Sequence, residues 1–250
     1  MKKINLLLML FCLNFGFIVQ AQDKTDKKVA VVSFYTDKTI GVSELGLEGV
    51  KGLADKIFDL KNNPNFNLTP LLEKYHTAFF DNYSKKFPFA ILPEAEVTGN
   101  KEYIDFKPRF EEKDTESING IINYNGYKHI YEGMFGKVNE EGIAKVFSTQ
   151  ANGVLFTQIH FSLVKNFGIG GMATVKMRAF VRMALYDSTG KKVWSITEGA
   201  NSKETSVMVG GIPVMSVEKI QPMCESALEQ LLKDLDGRME KIIKKTDGKI

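Results

Sequence analysis

Between residues 153 and 200 apolar and polar positions alternate with period two, the mark of antiparallel strands whose two faces meet different surroundings. Val175, Met177, Ala179, Val181, Met183 and Leu185 fall on one face, and Lys176, Arg178 and Arg182 on the other. Asp187-Ser188-Thr189-Gly190 carries the side chains that favour a turn, after which Val193-Trp194-Ser195-Ile196 resumes the ladder. The pattern predicts a three-strand meander whose inward face is completed by Leu155, Ile159, Phe161 and Leu163. A turn over residues 167–171 would set His160 opposite Arg178.

A second period, that of a helix, governs the C-terminus. From a Ser216 cap it runs through Ile220, Met223, Ala227, Leu231, Leu235, Met239 and Ile242, with an interruption at Gly237. Leu228, Leu231 and Leu235 are expected to cover the meander. Thr69-Pro70 reads as an N-cap followed by proline at the first helical position, and Leu71, Tyr75, Phe79 and Tyr83 then recur every four residues to an end near Phe87. A helix from a Ser43 cap through Leu47, Val50, Ala54 and Ile57 is weakened by Gly46, Gly49 and Gly52, at about 1 kcal/mol each.

Val29-Ala30-Val31-Val32-Ser33-Phe34 is the β-branched run of a buried strand, and Pro88 to Pro93 a short strand bounded by prolines, which suits an edge. Asn139 to Ser148 reads as a short helix leading into Ala151-Asn152-Gly153-Val154-Leu155-Phe156. Residues 94–137 keep no steady period and read as an irregular insertion with a short helix. This order predicts an α+β fold, a mostly antiparallel sheet packed against helices, in a single domain over residues 22–250.

The first 21 residues stand outside that fold. Lys2-Lys3, the apolar run Leu6 to Phe17 and the small residues of Val19-Gln20-Ala21 are the parts of a cleavable secretory signal, so that Gln22 becomes the first residue of a periplasmic or secreted protein. The bulky Phe11 before Cys12 speaks against lipid attachment there. No other stretch approaches the roughly 18–20 apolar residues of a membrane-spanning helix. Of the formal charge of +3, two units belong to Lys2 and Lys3, and a mature chain near +1 gives no electrostatic case for nucleic acid. Cys224 is then the only cysteine, with no intrachain disulfide, and its place on the stripe Ile220, Met223, Ala227, Leu231 makes it a small buried hydrophobe.

Several segments together resemble one family. Lys28-Val29-Ala30-Val31-Val32-Ser33-Phe34 resembles the opening strand of the bacterial envelope domains typified by the curli-secretion lipoprotein CsgG, the penicillin-binding-protein activator LpoB and the TolB N-terminal domain. Phe87 to Pro93 resembles the second strand of that family, and Ala144 to Phe156 its helix-to-strand joint. Ala184-Leu185-Tyr186-Asp187-Ser188-Thr189-Gly190-Lys191-Lys192-Val193-Trp194 resembles its hairpin. The resemblance implies a non-catalytic envelope module that binds another envelope protein in assembly or regulation. Without an acylation site near its N-terminus, and without long apolar strands to line a membrane barrel, this chain is expected to be a soluble relative.

Chemistry is sparsely represented. His76, His129 and His160 lie in no HExxH or cysteine pattern, there is no Gly-x-Ser-x-Gly elbow, and no cofactor or metal is expected. Gly168-Ile169-Gly170-Gly171 lacks a P-loop lysine and reads as a turn, and Glu111-Glu112 as solvated charge. Two alternatives to the binding module remain: a secreted hydrolase with its site near His129, which sits among Tyr124, Tyr127 and Tyr131, and a protein binding lipid or a small ligand between sheet and helices.

Strand direction supplies the candidate partner-binding site. The antiparallel third strand must end beside the turn after the first, bringing residues 167–172 and 207–215 together. Phe167, Ile169, Met172, Val207, Met208, Ile212, Pro213 and Met215 are the expected contact residues of an exposed apolar patch. Alternatively, the second segment folds back as core on its way to the last helix.

Overall fold

A computed structural model describes residues 26–45, 60, 62–109, 120–133, 135–169, 172–209 and 212–246. Its architecture is α+β. Strand β1 (Lys28–Gly41) lies between two parallel neighbours, β2 (Ala90–Ile91) at the sheet edge and β4 (Gly153–Ile169), and β3 (Ile121–Asn123) pairs antiparallel with its second half. Strand β5 (Met172–Asp187) pairs antiparallel with β4 along its whole length. Its other edge is shared by β6 (Lys192–Asn201) and β7 (Ser206–Val209), and β8 (Ile212–Val214) closes the far side.

The expected alternation divides this sheet into two faces. Val175, Met177, Ala179, Val181, Met183 and Leu185 are all buried, together with Leu155, Ile159, Phe161 and Leu163. The helices over this face are α1 (Thr69–Ala78), continued by a π-helical turn (Phe79–Tyr83) and α2 (Ser84–Lys86), and the long C-terminal helix, Val217–Thr246. Leu71, Tyr75, Phe79 and Tyr83 are buried from the first, and Leu228, Leu231 and Leu235 from the last. Cys224 is buried with them, and burial pushes its thiol well above the usual range.

On the opposite face a smaller core holds Ala30, Val32, Val154, Phe156, Ala184 and Tyr186 under α3 (Glu94–Thr98), α4 (Lys101–Asp105) and α5 (Val138–Phe147). The Asp187 turn is anchored here. Asp187 Oδ1 accepts from the Thr189 amide at 2.9 Å and the Lys191 amide at 3.0 Å. Gly190, at φ +79°, comes so near α5 that an added Cβ would stand 2.6 Å from the Glu141 backbone. The segment read as an insertion contributes α3, α4 and β3 among its described residues, and Val97, Tyr103 and Ile130 enter the core.

Several local expectations need correction. His160 faces Phe180, and Arg178 faces Ser162, because the strands extend to Ile169 and Met172 and only Gly170 and Gly171 lie between them. A bulge between Lys165 and Phe167 shifts the tip by one more residue. The third strand is broken after Asn201, where the Ser202 hydroxyl accepts from the Met177 amide at 3.1 Å and donates to the Glu204 carbonyl at 2.7 Å. Thr69 is the first helical residue and not the cap; Asn67 Oδ1 accepts from its amide at 3.0 Å. The last helix does not break at Gly237, which faces open space between the buried Leu235 and Met239. Most of the helix expected after Ser43 lies outside the described residues, which show a 3-10 turn at Ser43–Leu45.

Candidate functional site

The two segments expected to meet do so as adjacent hairpins. Met172 pairs with Val209, Ala173 with Met208, and Thr174 with Val207, while β8 adds Ile212 opposite Val209 and Val214 opposite Val207. With β4 included, two rows cross the four strands: Phe167, Thr174, Val207 and Val214, then Ile169, Met172, Val209 and Ile212. The described side chains of these rows, Phe167, Thr174, Met172, Val207, Val209 and Val214, belong to the face opposite the C-terminal helix, and the side chains of Ile169 and Ile212 lie outside the described residues. Phe167 is 63% exposed, Met172 65%, Val207 48%, Val209 50% and Val214 58%.

Met208, Pro213 and Met215 do not belong to that surface. Period two carries Met208 to the other face, where it is buried beside the buried Ala173; Pro213 lies opposite it and is buried too. Met215 is half-buried against the main core. The second segment is therefore core on one face and open on the other. Val209 and Val214, absent from the expected set, take the vacated places. Their position two and seven residues beyond Val207 was readable from the alternation once a hairpin was assumed at Gly210-Gly211.

Following the same face along β5 away from the tips, the surface becomes polar and then closed. Phe180 stacks on His160 with ring centroids 4.8 Å apart, and burial, with the Arg182 charge, holds the His160 imidazole below its usual range. Tyr35, Gln158, Arg182 and Thr197 then form one cross-strand row. Glu132, only 8% exposed in its side chain, receives Arg182 Nη2 at 2.6 Å and Lys192 Nζ at 2.8 Å, along with the Tyr186 hydroxyl. Burial alone would raise the Glu132 carboxyl, but hydrogen bonds from Lys192, Tyr186 and Arg182 outweigh it and hold the carboxyl below the usual carboxylate range. Such a carboxylate, saturated with donors, is a clasp between loop and sheet and a poor proton acceptor.

The histidines are held by neighbouring rings. His129 packs edge-on against Tyr35 at 4.5 Å and Tyr131 at 4.4 Å. Tyr124 and Tyr127, its other sequence neighbours, belong instead to the cluster around Phe34. His76 stacks on Tyr124 at 3.7 Å and meets Glu94 Oε1 at 2.8 Å, which also accepts from the Tyr127 hydroxyl. Among the described residues no group of three or more His, Cys, Asp or Glu is placed to hold a metal ion. The cavity between sheet and covering loop, lined by Tyr35, Glu132, Gln158 and Arg182, has about 10 Å³, room for one water molecule.

Fold and surface together define an α+β protein with one open apolar sheet end. No protein-family model matches the chain, and no curated protein sequence does. Among solved structures it is similar to lipoprotein GNA1162 from Neisseria meningitidis, at 12% identity over 86% of this chain and 99% of that one, with a TM-score of 0.30. It is also similar to a neuraminyllactose-binding hemagglutinin homolog from Helicobacter pylori, at 6% identity over 95% and 98% of the two chains, with a TM-score of 0.34. No helix among the described residues is long and apolar enough to cross a membrane.

Proposed function

We propose that this chain is an exported, non-catalytic protein of the bacterial cell envelope, a relative of the CsgG, LpoB and TolB N-terminal domains, that works by docking through the open apolar end of its sheet. The supporting observation is the paired hairpin tips, where Phe167, Met172, Val207, Val209 and Val214 stand about half or more exposed on one continuous face. Contiguous exposed apolar side chains favour association by removal from water, at about 25 cal/mol per Å². The secretory signal directs the chain to the compartment where an envelope partner is met.

Retention on isolated cell envelopes tests this reading. The processed wild-type protein is expected to sediment with them and Met172→Asp/Val209→Asp to remain in the supernatant. Equal sedimentation of the two proteins would overturn the proposal.

A further inference from the structure

We propose that the surface docked by these hairpin tips is an anionic lipid bilayer, entered to interfacial depth and not spanned. This rests on the docking reading above and names its occupant. The tips repeat one pattern side by side: Ile169-Gly170-Gly171-Met172 and Val209-Gly210-Gly211-Ile212, with Met172 paired to Val209. Neither segment carries a charge, from Asn166 to Val175 in the first hairpin and from Thr205 to Val217 in the second.

The exposed side chains are Phe, Met and Val, and not the Tyr, Trp and Arg that dominate protein–protein hot spots. Phe167 and Ile169 are two residues apart on β4, about 7 Å of strand, comparable with the roughly 5–10 Å to which interfacial elements sink.

On the β8 side the backbone suits hydrocarbon better than it suits an added strand. Within the tips β4, β5, β7 and β8 pair with one another, which leaves two outer edges among the described residues, β8 on one side and β4 beyond Ser162 on the other. Of these two edges, β8 is three residues long and contains Pro213, which has no N–H to leave unpaired in lipid or to offer a partner strand. Charge supplies the lipid class. Along the sequence, the first charged residues on either side of the two hairpins are Lys165, Lys176, Lys203 and Lys219 against Glu204 and Glu218, a net of +2, and Lys165 and Lys176 are the two carried by the β4–β5 hairpin itself. Lys165 is exposed and Lys176 half-buried, and among the described residues neither is in a salt bridge. Flexible lysine stems at the base of an inserted apolar tip reach the phosphate level.

The test is co-sedimentation with phosphatidylcholine vesicles prepared with and without phosphatidylglycerol. Wild type is expected to bind the phosphatidylglycerol vesicles roughly tenfold tighter, less so in high salt. Met172→Asp/Val209→Asp is expected to lose at least about tenfold with an unchanged Tm, as two buried carboxylates are set against hydrocarbon. Lys165→Gln/Lys176→Gln is expected to lose the preference for phosphatidylglycerol while keeping its weaker binding to phosphatidylcholine. Should Met172→Asp/Val209→Asp lower Tm, Phe167→Asp in the neighbouring row carries the same expectation. No wild-type binding to either vesicle, or equal binding by the Asp variants, overturns the proposal. If wild type then still sediments with envelopes until their proteins are digested, the docking reading survives with a protein as occupant. If it sediments with neither, both readings fall.

Discussion

The two faces of β5 begin with the same alternation and end in opposite conditions. Its odd-numbered residues from Ala173 to Leu185 are buried without exception. Its even-numbered residues run from the buried Tyr186 and Ala184, through the half-buried Arg182, Phe180 and Arg178, to the exposed Met172. The difference lies in the cover. A single 30-residue helix packs along the first face, whereas α3 to α5 and the 127–133 loop reach only one end of the second. Period two says which residues share a face; it does not say how far a covering layer extends.

Breaking the continuous cover should have the largest effect. Leu231 is fully buried on the C-terminal helix, and Leu231→Ala is expected to destabilise by about 2–5 kcal/mol, the cost of lost transfer and a residual cavity. Denaturant unfolding measures it, and a change near zero would mean that the helix is not docked on this face.

The boundary between closed and open parts of the second face is held by Glu132. Glu132→Gln leaves Arg182 and Lys192 without a counter-charge and is expected to cost about 1–3 kcal/mol at neutral pH. The sign of the pH dependence follows from the lowered folded-state carboxyl. The unfolded state binds the proton first, so the stabilisation is present above about pH 4.3 and is lost as pH falls through the folded value. Urea midpoints between pH 3 and 6 should therefore fall less steeply for Glu132→Gln than for wild type. Parallel curves would show that the clasp does not couple to folding.

Substitution at the open end should leave stability almost untouched. Phe167→Ser is expected to change it by no more than about 0.5 kcal/mol, since the ring is 63% exposed. A loss of several kcal/mol, read by the same unfolding experiment, would place Phe167 in a covered core.

What the sequence disclosed about these regions follows the same division. The inward stripe of β5, its partners on β4 and Leu228, Leu231 and Leu235 were legible because strand and helix periods each point one way. The meeting of the two hairpin tips was legible from strand direction. Membership of the open patch depends on the alternation inside each segment, which separates Met208 from Val207 and Val209 and which the proximity of the two segments alone does not specify. The bulge beside Asn166 is a local shift of register and the break at Ser202 carries a side-chain hydrogen bond to the Met177 amide, and neither leaves a periodic trace. The clasp on Glu132 joins residues 50 to 60 positions apart through a loop without periodicity, and only the folded chain brings them together.

The central claim is that neighbouring positions at the sheet end meet opposite surroundings, solvent on one face and the core on the other. Met172 with Val209 and Ala173 with Met208 are adjacent cross-strand pairs one residue apart. Thermal unfolding of Met172→Asp/Val209→Asp beside Ala173→Asp/Met208→Asp tests this most directly. The account expects the first variant to melt within a few degrees of wild type and the second to be unfolded or to melt far lower, with two carboxylates forced into an apolar core. Equal melting of the two variants, or the reverse order, would contradict it.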